Sequence, residues 1–122
     1  MRDVLLVALG GGLGSALRYG VALALPTREL PWGTLTVNVL GSLLLGFVVA
    51  VALSQKELST FWTPLVAIGF CGGFTTFSSF ALQQFQQLQV GNYIPFVLYA
   101  GLSLIGGLLA VGLGWWLGSQ LT

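Results

Sequence analysis

Apolar residues fill four long runs in this chain, and short polar interruptions separate them. The runs are Val4 to Ala24, Gly33 to Leu53, Phe61 to Leu88 and Pro95 to Leu117. Each reaches the roughly 20 residues that a helix needs to cross a bilayer. The first interruption holds Pro26, Arg28, Glu29 and Pro31, and the second, Ser54 to Thr60, holds Lys56 and Glu57. Gly91 and Asn92 make the third, a turn composition. Trp32, Trp62, Trp115 and Trp116 sit near the ends of the runs, where interfacial aromatics belong. The pattern predicts one domain of four transmembrane helices, all-α, covering residues 1–122.

The polar residues inside the runs are phased. Thr34, Asn38 and Ser42 recur every four residues and fall on one helix face. Tyr99, Ser103 and Gly107 do the same in the fourth run. Gly10 and Gly14, and Gly106, Ala110 and Gly114, form small-residue stripes that let helices approach closely. The third run contains Gly72-Gly73-Phe74-Thr75-Thr76-Phe77-Ser78-Ser79-Phe80. Paired glycines and threonines weaken a helix. Irregular backbone at membrane depth is tolerated where it is buried in protein or lines a polar path. Gly72 to Thr76 therefore reads as a break whose freed carbonyls are available to a cation. The helix is expected to resume with Phe77 and Phe80 on one face and Thr76, Ser79 and Gln83 on its neighbour. Gln83, Gln84, Gln86, Gln87 and Gln89 read as a wet helix end or a vestibule wall.

Composition supports the membrane reading. Of 122 residues, 56% are hydrophobic and 6% charged, against about a quarter charged in soluble domains. The formal net charge of +1 gives no case for nucleic acid. There is no histidine, and the lone Cys71 excludes an intrachain disulfide and a multi-cysteine metal site. Gly10-Gly11-Gly12-Leu13-Gly14 does not fit the dinucleotide fingerprint. No nucleophile–base pair suggests an enzyme. Arg18 either snorkels to the interface or faces inward, where an intramembrane charge points to function. Arg2 and Lys56 lie on one side of the predicted topology, with Arg28 and Arg18 towards the other. This balance removes the usual orienting bias. It permits insertion both ways up, and with it antiparallel dimers.

Three stretches together resemble the Fluc (CrcB) fluoride channels over essentially the whole chain. They are Gly14-Ser15-Ala16-Leu17-Arg18-Tyr19, Gly33-Thr34-Leu35-Thr36-Val37-Asn38-Val39-Leu40-Gly41, and Gly72 to Phe80. The resemblance implies a dual-topology antiparallel homodimer with two pores, in the bacterial inner (plasma) membrane. It implies backbone carbonyls of Gly72 and Thr75 around a structural Na⁺. Phe77 and Phe80 would present ring edges to fluoride. Asn38 would serve as the pore asparagine, with Thr34, Thr76, Ser79, Tyr99 and Ser103 along a polar track and Arg18 near a vestibule. Two positions depart from the family pattern: Gly107 replaces a serine, and Gln83 stands where an acidic residue is frequent.

The chemistry suits fluoride, a small and strongly hydrated anion. Hydroxyls and amides donate hydrogen bonds in place of water. Aromatic edges carry partial positive charge. Conduction needs sites weak enough to release the ion. Two other readings fit four short spans: a small dual-topology multidrug exporter and a non-conducting assembly subunit. A proton-coupled exporter calls for an intramembrane carboxylate, whereas Asp3, Glu29 and Glu57 all lie at ends or loops.

Overall fold

The computed structural model describes residues 1–122, and every regular element in it is helical. The first span is α1 (Arg2–Ala24) and the second α2 (Trp32–Ser54). The third is assembled from α3 (Lys56–Trp62), a π-helical stretch (Thr63–Phe70), α4 (Cys71–Phe74) and α5 (Ser78–Gln89). The fourth is α6 (Tyr93–Gln120). All four are long and apolar enough to cross a membrane, with mean hydropathies from 1.5 to 2.3. The turn into α6 needs Gly91, whose φ of 76° is open to glycine at little cost.

The second interruption is shorter than its composition suggests. Only Gln55 is non-helical between α2 and α3, so the third span starts at Lys56. Lys56 and Glu57 occupy its first turn as ordinary helix formers. Pro64 then changes the winding. It has no N–H for the carbonyl of Thr60 four residues back. The Arg2 guanidinium donates to that carbonyl instead, at 2.9 Å. Beyond Pro64 the ladder runs to the fifth residue, as in Cys71 N–H to Val66 O.

Packing depends on glycines. A Cβ on Gly10 or Gly14 would enter the backbone of the third span at Leu65 and Phe70. One on Gly73 would strike Gly11 O. These contacts bring α1 against the π-helix and α4 at backbone distance, where association in lipid gains most from close packing. Helices α2 and α6 are joined in the same way. Gly106 lies beside Val39, Gly46 beside Val111, Gly114 beside Leu43 and Gly118 beside Ala50. From Val39 with Gly106 at one end to Ala50 with Gly118 at the other, both numbers increase, so α2 and α6 run parallel.

The break sits later than predicted. Gly72 and Gly73 remain helical in α4, and the interruption is Thr75 to Phe77. Gly73 is small because α1 crosses it, not because the chain unwinds there. The unwinding begins where Thr75 turns extended, at φ −88° and ψ 160°. Phe77 accordingly caps α5 rather than lying within it.

Candidate functional site

The break is held open by side chains from two other helices. Asn38 of α2 brackets Thr76: its Nδ2 donates to Thr76 O at 3.0 Å, and its Oδ1 accepts the Thr76 N–H at 2.8 Å. In an unbroken helix that N–H would bond Gly72 O. Its diversion to Asn38 therefore releases the Gly72 carbonyl, and Gly72 is exposed. From α1, Arg18 Nε donates to Gly73 O at 2.9 Å and Ser15 Oγ to the same atom at 3.4 Å. The guanidinium thus meets the C-terminal end of α4, where the helix dipole is negative. Thr75 Oγ1 folds back to Cys71 O at 2.7 Å. Thr76 Oγ1 accepts the Ser79 N–H at 3.2 Å and so satisfies one of the free donors in the first turn of α5.

The predicted site residues divide between two cavities that share Thr76. One is an open groove of about 440 Å³. Asn38, Gly72, Thr75, Phe77, Phe80 and Ser103 line it, with Ser42 and Gly107 further along. The other is a polar pocket of about 270 Å³ lined by Arg18, Thr34, Thr76, Ser79 and Gln83. Arg18 therefore faces inward, at this pocket, rather than only snorkelling.

Tyr99 opens on neither cavity. It is fully buried, and its hydroxyl donates to Gln83 Oε1 at 2.8 Å. Gln83 Nε2 in turn donates to Thr34 Oγ1 at 2.9 Å. The amide stands between one donor and one acceptor and satisfies both without a charge. Sequence reasoning placed Gln83 on the right face but missed this bridge, which joins α2, α5 and α6. Gln84 is also buried, donating to Phe96 O at 3.1 Å. At these two positions the glutamine tract is interior joinery.

The rings form a short series. Phe80 meets Tyr99 edge to face, with centroids 5.0 Å apart and planes at 84°. Phe77 follows at 6.0 Å and 43°. Phe77 is 79% exposed, the largest exposure of any aromatic in the chain, and it projects along the groove. Of Asn38's two amide hydrogens one is committed to Thr76 O, which leaves one for another acceptor. The Ser103 hydroxyl is buried with no hydrogen-bond partner.

Fold and site together define a small multi-pass membrane protein built around a broken helix, with hydroxyl, amide and aromatic groups at the break. Residues 5–115 match the family described as CrcB-like protein, Camphor Resistance (CrcB). The chain belongs to that family. It is 44% identical to a Leptospira interrogans protein over 122 residues, covering 95% of this chain and 94% of the relative. It is 47% identical to one from Chlorobium chlorochromatii over 113 residues, 91% and 88% of the two chains. A Bacteroides fragilis relative is 40% identical over 126 residues, 98% of each. All three are named fluoride-specific ion channel FluC. Membership makes this chain a multi-pass protein of the bacterial plasma membrane and sets it apart from enzymes.

Proposed function

We propose that this protein is a fluoride-selective channel that lets F⁻ leave the cytoplasm down its gradient and so lowers fluoride toxicity. The observation that carries the reading is the groove beside the break. Asn38 keeps a free amide hydrogen there, Ser103 an unused hydroxyl, and Phe77 and Phe80 stand alongside. Such groups replace hydration by several weak donors rather than one fixed cation, which allows both entry and exit. The names of the relatives point the same way. Asp3, Glu29 and Glu57 stay at ends and loops, which disfavours a proton-coupled exporter.

The working unit in this reading is an antiparallel homodimer with two pores. One chain leaves the groove open on one side and Phe77 bare. A second copy, inverted, would close the groove and cover that ring. Gly72 and Thr75 would then contribute backbone carbonyls from both chains to a structural Na⁺. The chain fits this role at Gly72, whose carbonyl has lost the Thr76 N–H. Unwound carbonyls are established sodium ligands in membrane proteins. When bound, the ion supplies a central positive field and a lock between the two breaks. Thr34, Thr76, Ser79, Gln83 and Arg18 form the vestibule pocket, and Tyr99 supports the track from behind through Gln83 and Phe80.

The test is fluoride efflux from liposomes holding only the purified protein, read with a fluoride electrode beside a chloride electrode. Rapid loss of fluoride without chloride is the expected result. Retention of both ions by folded, inserted protein would overturn the reading.

A further inference from the structure

We infer that Ser42 is a further fluoride-facing donor, placed on α2 at the level where α6 carries Gly107. This rests on the channel reading above and names an additional station on the same pathway.

The argument comes from the register of two parallel helices. Thr34, Asn38 and Ser42 step up α2 every four residues; Tyr99, Ser103 and Gly107 step up α6 with the same spacing. Gln83 bridges Thr34 to Tyr99, which fixes the first pair. A Cβ on Gly107 would stand 3.8 Å from Ser42 Oγ, which fixes the third. Asn38 and Ser103 lie between them on the same groove. The polar positions therefore form rungs about 6 Å apart, four residues of helical rise. The first rung is bonded within the protein. The second offers the spare Asn38 hydrogen and the Ser103 hydroxyl. The third has its only hydroxyl on α2.

Ser42 is free to act. Serines inside apolar helices commonly return their hydroxyl to a carbonyl one turn back. Ser54 does so to Val51 O at 2.9 Å and Ser119 to Trp116 O at 2.7 Å. Ser42 makes no such bond, and it lines the groove. A hydroxyl in an apolar setting without a partner is costly, so an occupant that accepts its hydrogen is favoured there. Gly107 presents no side chain to Ser42, and the space opposite remains open. An anion passing the Asn38–Ser103 rung would next meet the Ser42 O–H, with water filling the gap that Gly107 leaves.

The experiment moves the hydroxyl across the rung. Ser42→Ala and the double variant Ser42→Ala with Gly107→Ser are compared with wild type for fluoride efflux, after size-exclusion confirms equal folding. A Cβ at Gly107 meets only ordinary contact, so the second variant is sterically acceptable. Ser42→Ala is expected to slow efflux several-fold, and the double variant to recover most of the loss. Wild-type rates in Ser42→Ala would overturn the inference while leaving the channel reading intact. A slow single variant that the transplanted hydroxyl does not rescue, or a single variant that fails to fold, would assign Ser42 to packing and overturn it too. A wild-type protein that passes no fluoride would overturn the channel reading and this station with it.

Discussion

Asn38→Ala removes the one side chain that satisfies both backbone groups of Thr76. In the wild type these bonds measure 3.0 Å and 2.8 Å, and Thr76 is half-buried at membrane depth. Water is scarce there, so each orphaned group costs about 1–3 kcal/mol. Membrane measurements put an average inter-helical hydrogen bond lower, near 0.6 kcal/mol, because the alternative state also finds partners. Thr76 has one such partner for its N–H: with Asn38 gone it can return to Gly72 O and heal the ladder. Its carbonyl has none so close. With only the carbonyl left unpaired, a net loss of about 1–2 kcal/mol follows, on the order of tenfold in the folding equilibrium. Unfolding in mixed micelles of dodecylmaltoside and sodium dodecyl sulfate would measure it. Asn38→Asp tests the geometry, because it still accepts the Thr76 N–H but sets a carboxylate against Thr76 O; it should lose more than Asn38→Ala. Stability of Asn38→Ala within about 0.5 kcal/mol of wild type, the usual range for inconsequential substitutions, would refute the bracket's role.

Phe80→Ile keeps the apolar bulk but removes the ring edge beside Tyr99, and efflux from liposomes should drop at least tenfold, about 1.4 kcal/mol of barrier; an unaltered rate would remove that ring from the pathway. Gly14→Ala drives a methyl into Phe70 O, with Phe74 N only 2.8 Å from it; overpacking of this kind should cost about 1–3 kcal/mol in the same micelle assay, whereas Gly20→Ala, with open space around it, should be nearly neutral. Exchange of Na⁺ for a larger cation throughout purification should weaken self-association, read by single-molecule subunit capture; a dimer of unchanged strength would count against the carbonyls of Gly72 and Thr75 as sodium ligands.

Much of the fold was legible because a bilayer demands long apolar runs and closed backbone bonding. The four spans were written in hydropathy, and their polar faces in a four-residue step. What was not legible depends on partners far along the chain. The glycines at 72 and 73 drew attention to the right turn of helix, yet the break falls after them. Its position is set by Asn38, which takes the Thr76 N–H from another span. The π-helix had only Pro64 as a local sign, and the Arg2 contact that satisfies Thr60 comes from the start of the chain, 58 positions away. Lys56 and Glu57 looked like a loop because they are charged, although charge at a helix start is compatible with helix. Gln83 lay on the predicted face, but which groups it joined could be known only once α2 and α6 were seen side by side.

The matched stepping of α2 and α6 bears on which changes of length the protein can absorb. One residue inserted within α2 between Thr34 and Ser42 would rotate everything beyond it by about 100°. The hydroxyl beyond the insertion would turn towards lipid while the facing helix stayed in place. The same insertion in the Gly91–Asn92 turn, or ahead of Trp32, leaves both helices internally unchanged and only alters the reach of a connection. Lineages descended from this chain should therefore vary freely in the length of those turns. Inside the two helices they should keep their count, or gain and lose residues in whole turns.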